Sequence, residues 1–450
     1  MQSSEHRPKR SDDFIGIDVN DTDRRRVLVI AYYFPPMGLS GVQRTVKFVK
    51  YLPQFGWDPT VLTIQPGGYF AHDDSLLDDL SSNNVRIVRT LAAGPGKLFE
   101  KKEVIKLPSE RTRKFLSRIS DTFFIPDNKI GWKRKAVRKA VELHKKTPFD
   151  LVFVTGPPFS SFLAGTEIKA RINKPLVFDY RDPWVEYPFK FYPTPLHRLR
   201  NVQLEKKCLQ ASSHVVTTNR RVKEVLLKNY PFLSYHDIDI IPQGFDPADF
   251  KPDTMQQKKG PHHPRSNQKM RLTYAGVFWE DRVPDYFLQA LYRIFQEKPK
   301  LRGSIEACFV GHFRNENMRL VNKLALQDTV NVVGYLPHRE CVRQLMDSDV
   351  LWMIVGDGLG SPGKAYEYIG AKKPILGCAP DGFMKSMILE AGGKVVAPDD
   401  VDGIKKAIEE FYTQFRRGEL QGPSPEVYDK YNRLTLTRSL VKVFESLFVL

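Results

Sequence analysis

RRVLVIAYYFPPMGLSGVQRTVKFVKYLPQFGWDPTVLT, residues 25–63, is the stretch whose reading decides the fold. It opens with Arg25 to Ala31 (RRVLVIA), a short and nearly continuous apolar run with β-branched residues, as expected of a strand covered on both faces. A loop from Tyr32 to Ser40 follows. Gly41 then begins a segment with Val42, Val46, Val49 and Leu52 at helical spacing, and Trp57 to Thr63 reads as a second strand. Strand, helix and strand in that order form a β-α-β unit, the building block of a parallel sheet.

The pattern recurs along the chain. Asp150 to Thr155 (DLVFVT) is a strand, Ser160 to Arg171 a helix, Pro175 to Asp179 a strand, and His214 to Thr217 a further strand. These complete one Rossmann-like domain over residues 24–215. A second series starts at Ile238–Ile241 and continues through the strands Arg271–Tyr274, Ser304–Val310, Val330–Val333, Val350–Ile354 and Pro374–Gly377. Helical segments at Tyr286–Gln296, Met318–Ala325 and Ala365–Gly370 are interleaved with them, giving a second Rossmann-like domain over residues 238–424. The polar segment Lys251 to Lys269 reads as a mobile loop, and residues 1–23 as a flexible tail. The last stretch, 425–450, is helical in pattern and long enough to cross back onto the first domain. A chain of 450 residues exceeds what one hydrophobic core organises, so two domains with a cleft between them are expected.

Composition narrows the classes of function. No apolar run approaches the ~20 residues needed to span a bilayer. The polar start, MQSSEHRPKRSDDF, lacks the apolar core of a secretory signal, so the compartment expected is the cytoplasm. Cys208, Cys308, Cys341 and Cys378 are widely spaced and form no Cys-x-x-Cys pair, which argues for core thiols over a disulfide framework or zinc knuckle. The formal charge is +17, and Lys97 to Lys146 holds sixteen Lys/Arg against six Asp/Glu. Within it, Lys133 to Lys146 places Ala136, Val137, Ala140 and Val141 on one helical face and cations on the other. Such a helix either packs its apolar side on the domain or docks on a membrane; a packed helix can still present its cations to anionic lipid.

Four segments carry candidate chemistry. PPMGLSGVQR, residues 35–44, joins a strand to a helix. Gly38 and Gly41 remove side chains where a ligand would approach backbone, and the helix start offers N–H groups to an anion, although the glycines alone also suit a tight turn. SPGKAYEYIGAKKP, residues 361–374, brings Ser361, Pro362, Gly363 and Lys364 to a helix N-terminus with Glu367 one turn on. That division suits phosphates at the helix start and a ribose diol at the carboxylate; the plain alternative is a solvated Glu367 paired with Lys364. AGVFWEDR, residues 275–282, supplies Gly276 and a permanent cation, Arg282, which could equally pair with Glu280 or Asp281. Gly311, at the end of another strand, is a further donor-binding candidate. VFDYRDPW, residues 177–184, delivers Asp179, Arg181 and Asp182 to the carboxyl edge of a first-domain strand, where open α/β sheets bind ligands, or where an Asp-Arg pair would hold the loop.

Taken together, YYFPPMGLSGVQR, IPDNKIGW at 125–132, DLVFVTGPPFSS at 150–161, FDYRDPW at 178–184, IPQGFD at 241–246, YAGVF at 274–278 and SPGKAYEYIGAKKPIL at 361–376 resemble glycosyltransferase family 4, in its bacterial exopolysaccharide and lipopolysaccharide branch. The resemblance covers nearly the whole chain. It implies a GT-B fold, two Rossmann-like domains facing across a cleft with a C-terminal helix crossing back, and transfer of a sugar from a nucleotide-sugar donor with retention of configuration. The second domain would bind the donor and the first a saccharide or lipid-linked acceptor. Gly41, Arg282 and the backbone from Ser361 to Lys364 would hold the diphosphate and Glu367 the ribose; Arg282, Lys364, Arg181 and Asp182 are the catalytic candidates. No cofactor and no metal are expected, because the Asp-x-Asp strings at Asp237/Asp239 and Asp400/Asp402 precede a linking strand and lie in a late loop. Three positions depart from the family pattern: Leu359 where an acidic residue is common, Val277 where Arg is frequent, and Arg181 where His is frequent. Two other readings remain. One is a sugar-nucleotide epimerase or hydrolase on the same fold; the other is a non-enzymatic basic protein binding nucleic acid, which the charge permits but no zinc finger, RNP motif or arginine-rich repeat supports.

Overall fold

In a computed structural model the chain is described at residues 24–38, 40–66, 73–81, 85–91, 110–187, 190–251, 269–278, 282–356 and 363–449. The expected tail at 1–23, most of the expected loop at 251–269, and Leu359, Ser361 and Pro362 lie outside them. The first sheet contains β1 (Arg25–Ile30), β2 (Trp57–Ile64), β3 (Arg86–Thr90), β4 (Leu151–Gly156), β5 (Leu176–Tyr180), β6 (His214–Thr217) and β7 (Ile238–Ile240), in the order β3-β2-β1-β4-β5-β6-β7. The second contains β8 (Met270–Ala275), β9 (Ile305–Val310), β10 (Val330–Gly334), β11 (Val350–Ile354), β12 (Ile375–Cys378) and β13 (Lys394–Val396), in the order β10-β9-β8-β11-β12-β13. Every pairing is parallel. Strand order reverses at β1/β4 in one sheet and at β8/β11 in the other, and a crevice opens beyond the carboxyl ends of strands at such switch points.

The continuous apolar run of β1 follows from this burial. Leu28 and Ile30 enter one core layer with Val152, Val154 and Phe162, while Val27 and Val29 enter the opposite layer with Val46, Val49 and Phe153. With alternate side chains on opposite faces, a strand covered on both sides needs apolar residues at every position. The Lys133–Lys146 helix covers one face through Ala136, Val137, Ala140 and Leu143. Val141, expected on that face, is only half-buried and Leu143 takes its place, because a turn of 3.6 residues carries position 143 onto the stripe of 136 and 140.

The sequence assigned Ile238–Ile241 to the second domain, and the structure corrects this. Val215 pairs with Ile238 and Thr217 with Ile240, so β7 is the edge of the first sheet. The break at Asp237 is a short turn, Tyr235–Asp237, inside the first domain, capped reciprocally by Ser234 and Asp237. The crossing comes later, at Pro242–Asp246.

The return crossing lies beside it. The Pro425–Tyr431 helix places Val427 and Tyr431 in the second-domain core, whereas the Arg433–Ser446 helix places Leu436, Leu440, Val443 and Phe444 in the first. Only the second of these helices crosses back. The two crossing strands bond to each other, Phe245 N–H donating to Tyr431 O at 3.2 Å and Arg433 N–H to Phe245 O at 2.8 Å. Gly244 is required here, since a Cβ would stand 2.6 Å from Tyr431 O.

A buried acid gives the first domain a pH-dependent stability. Glu205 accepts from the hydroxyls of Tyr180 and Tyr230, yet burial lifts its carboxyl to about 7. The folded state keeps a proton that the unfolded chain releases in the ordinary carboxylate range, so stability is full below about pH 4.5 and declines as pH rises to about 7, by about 3 kcal/mol in total. Glu205→Gln is expected to remove this decline, read as urea midpoints for both proteins at about pH 5 and about pH 8. Equal pH dependence of the two would contradict it.

Candidate active site

A cleft of about 670 Å³ lies between the domains at the two switch points. The first domain lines it with Gly38 and Gly41 after β1, Pro157 after β4, and Arg181 and Asp182 after β5; the second with Gly276, Val277 and Arg282 after β8, Gly311 after β9, Tyr335 after β10, and Gly363 and Lys364 at a helix start. Nine side chains or glycines expected from the sequence therefore share one cleft.

The second-domain half carries positive charge. Among the described residues Arg282 has no ion-pair partner. Lys364 Nζ lies 2.6 Å from Glu367 Oε2 and 3.5 Å from Cys341 Sγ. Burial pulls the Lys364 ammonium down, but Cys341 and Glu367 outweigh it and hold the group above its ordinary range. Lys364 thus stays a cation at the first turn of the Gly363–Gly370 helix. Glu367 pairs with Lys364 as the plain alternative required, but it is not solvated: only 3% of it is exposed. Its second oxygen, Oε1, is buried with no hydrogen-bond partner, 3.9 Å from His338 Nδ1. Glu367 itself does not line the cleft; its two neighbours Lys364 and His338 do, and they separate this hydrogen-bond acceptor from it. Gly276 and Gly311 let backbones meet at the strand ends: Gly276 N–H donates to Val310 O at 2.8 Å, and Gly311, at φ +123°, has no room for a Cβ against Gly276 O.

The first-domain half differs from expectation at two residues. The guanidinium of Arg181 is spent on backbone carbonyls: Nε donates to Gly156 O at 3.1 Å, one terminal nitrogen to Gly41 O at 2.5 Å and the other to Pro157 O at 2.6 Å. Arg181 is therefore a positioning residue for three loops and not a free catalytic cation. A side chain at Gly41 would collide with that same guanidinium, so the glycine serves Arg181 at least as directly as any ligand. Asp179 is paired as the loop-holding alternative proposed, but with Arg44, a residue the sequence reading missed. Arg44 Nε and a terminal nitrogen reach Asp179 Oδ1 at 3.0 and 2.9 Å, the other nitrogen reaches Pro242 O at 2.7 Å, and both residues are fully buried. Thr155 donates to the second Asp179 oxygen at 2.9 Å.

His338 was also missed. It bridges the domains: its Nδ1 lies 3.0 Å from Gln43 Nε2, its Nε2 2.9 Å from Asp249 Oδ2, and its backbone N–H donates to Asp73 Oδ2 at 2.9 Å. Burial lowers the His338 imidazole, and the Asp249 carboxylate more than reverses this, so its affinity for a proton is raised. A histidine three residues past the tyrosine that follows a strand has no spacing signature, so only the fold exposes its role. The Asp-x-Asp strings are engaged elsewhere: Asp237 caps a turn, Asp239 pairs with His214 at 2.9 Å, Asp400 caps the Val401–Arg417 helix and Asp402 pairs with Arg293 at 2.9 Å. Among the described residues no group of three or more His, Cys, Asp or Glu is arranged to hold a metal.

Comparisons with known proteins agree with this geometry. The model of Glycosyltransferase Family 4 matches residues 39–249 and that of Glycosyl transferases group 1 matches residues 269–414. No curated protein matches the chain. Among solved structures it is similar to a glycosyltransferase from Rickettsia africae ESF-5, at 14% identity and TM-score 0.62 over 95% of this chain and 99% of that one. Anabaena Alr3699/HepE in complex with UDP and glucose gives 13% identity and TM-score 0.61 over 94% and 100%. A putative UDP-N-acetylglucosamine 2-epimerase from Listeria monocytogenes gives 14% and 0.56 over 94% and 97%. Likeness at these identities is one of fold. With two family models covering both domains in order and the cleft built where they meet, the chain belongs to the family 4 type of glycosyltransferases and has their GT-B fold.

Proposed function

We propose that this enzyme moves a sugar from a nucleotide-sugar donor, held mainly by the second domain, to a saccharide or lipid-linked acceptor presented to the first, with retention of anomeric configuration. The observation that carries the donor site is the presence of Arg282, Lys364 and the helix start at Gly363 on one cleft, with Glu367 bonded to Lys364 next to it and its Oε1 left without a hydrogen-bond partner. The diphosphate lies against Arg282, Lys364 and the helix start. Glu367 Oε1 accepts from a ribose hydroxyl, and the base stands beside Tyr335 and Leu336. The Anabaena neighbour holds UDP and glucose, which makes a uridine nucleotide the first donor to test.

In the reaction the bond between the sugar's anomeric carbon and the diphosphate oxygen breaks while the acceptor oxygen approaches from the same face. Negative charge grows on the departing phosphates, and fixed cations that meet that charge lower the barrier. Arg282 and Lys364 supply two such cations from the chain itself, so activity is expected to persist in EDTA. The contacts through His338 hold the domains together over the cleft and limit the access of water, which would hydrolyse the donor. Cell-surface polysaccharide assembly at the inner face of the cytoplasmic membrane is the setting this chemistry and the basic first domain suit.

The retaining reading is tested by proton NMR of the product made from an α-linked nucleotide sugar: an α-glycoside is expected, and a β-glycoside contradicts retention. Free sugar or an epimerised nucleotide sugar without a glycoside would favour the epimerase or hydrolase reading. Glu367→Gln is expected to weaken nucleoside diphosphate binding by roughly tenfold or more, since hydrogen bonds to charged groups contribute about 1.5–3 kcal/mol. A 2′,3′-dideoxy nucleotide should bind wild type and variant alike.

A further inference from the structure

Among the described residues, none covers an apolar face of the first domain's basic segment. In the Glu110–Phe123 helix, Phe115, Leu116, Ile119 and Phe123 fall on one stripe, with Phe115 64% and Phe123 75% exposed, and Phe124 continues it. Leu196, 73% exposed, and Leu199 extend the same surface from the Pro195–Ala211 helix. Three contacts fix the two segments together: His197 Nε2 lies 3.2 Å from Thr122 O, Lys190 Nζ donates to Asp121 Oδ1 at 2.6 Å, and the Arg118 guanidinium stands 5.3 Å from the Phe191 ring centre. Single exposed apolar residues are ordinary, but seven large ones on one fixed face are not.

Charge says what covers them. Residues 110–146 hold twelve Lys/Arg against four Asp/Glu. The Pro195–Ala211 helix holds four against Glu205, which is buried. A groove beginning beside Phe124 is lined by Ile125, Ile130 and Leu204 with Lys133, Arg200 and Lys207, of which Lys133 is paired with the groove's one acid, Glu167, at 2.9 Å. Protein interfaces are depleted in lysine, whereas apolar side chains ringed by cations suit the boundary between headgroups and acyl chains of an anionic bilayer. The Lys133–Lys146 helix cannot supply the inserting residues, because its apolar side is spent on the core.

We propose that this face docks on an anionic lipid bilayer, Phe115, Leu116, Ile119, Phe123 and Leu196 entering the acyl boundary and the surrounding cations meeting lipid phosphates. The proposal rests on the lipid-proximal acceptor reading above and gives it a surface; it does not depend on the donor site. Docking there would hold the acceptor domain at the membrane while the second domain stays free to close.

Flotation with vesicles of phosphatidylcholine, with and without phosphatidylglycerol, tests it on the full chain. Wild type is expected to float with the anionic vesicles only, and less so in high salt. Phe115→Ser/Phe123→Ser and Leu196→Ser should each lower the bound fraction, the double variant by at least roughly tenfold in partition coefficient, with thermal unfolding unchanged because the side chains are exposed. Absence of wild-type binding, or double-variant binding equal to wild type, overturns the proposal. So does a lipid-free dimer that the double variant dissociates while vesicle binding persists, which would assign the face to a second copy. Nucleotide titration of the same proteins reads the donor site separately, so either reading can fail alone.

Discussion

Arg282→Ala is expected to lower kcat/KM for sugar transfer by roughly 10²–10³-fold, the effect of removing one fixed charge that meets a developing oxyanion. The loss should fall mainly on kcat, because the charge on the leaving diphosphate is largest in the transition state. Arg282 is suited to this work because among the described residues it has no ion-pair partner, whereas Lys364 is shared with Glu367 at 2.6 Å. Arg282→Lys should recover only part of the rate, since an ammonium lacks the planar pair of donors that a phosphate accepts from guanidinium. Wild-type kcat/KM in Arg282→Ala, measured by donor-dependent product formation, would remove Arg282 from the mechanism.

Asp179→Ala should destabilise the first domain by about 3–5 kcal/mol. The cause is not the loss of a favourable pair so much as the charge left behind: Arg44 is fully buried, and with Asp179 gone its remaining acceptor is the Pro242 carbonyl. Arg44 sits in the Ser40–Tyr51 helix, Asp179 near the end of β5 and Pro242 in the crossing segment, so the pair joins three parts of the chain. Replacing both residues by apolar ones of similar volume should restore much of the stability. Urea unfolding followed by tryptophan fluorescence reads both results, and a loss below about 1 kcal/mol in Asp179→Ala would show that the site tolerates an unpaired charge.

The parallel sheets were legible because doubly covered strands leave continuous apolar runs, as RRVLVI and DLVFVT do. β3 was not read, because its residues RIVRT are half-buried at a sheet edge and carry two arginines. β7 was read but placed in the wrong domain, since three residues of alternating pattern do not say which sheet they join. The glycines and cations of the donor half were visible because each follows a strand. The first-domain half was harder: Arg181 and Asp182 reach the cleft as expected, yet Arg181 spends its donors on carbonyls, and Arg44, Gln43 and His338 act only through partners far off in sequence. Local pattern finds groups that end a strand or start a helix; it cannot find a buried pair that only tertiary contact creates. The exposed stripe at Phe115–Phe123 was hidden for a related reason, because sequence alone cannot tell a packed apolar face from an uncovered one.

Calorimetric titration with UDP, GDP, ADP and dTDP in the presence of EDTA, on the wild type and on Arg282→Ala/Glu367→Ala, tests the central claim most directly. The account predicts that one nucleoside diphosphate binds the wild type without a metal and fails to bind the double variant. Binding of none of the four, or equal binding to both proteins, would contradict a donor site built on Arg282, Lys364 and Glu367.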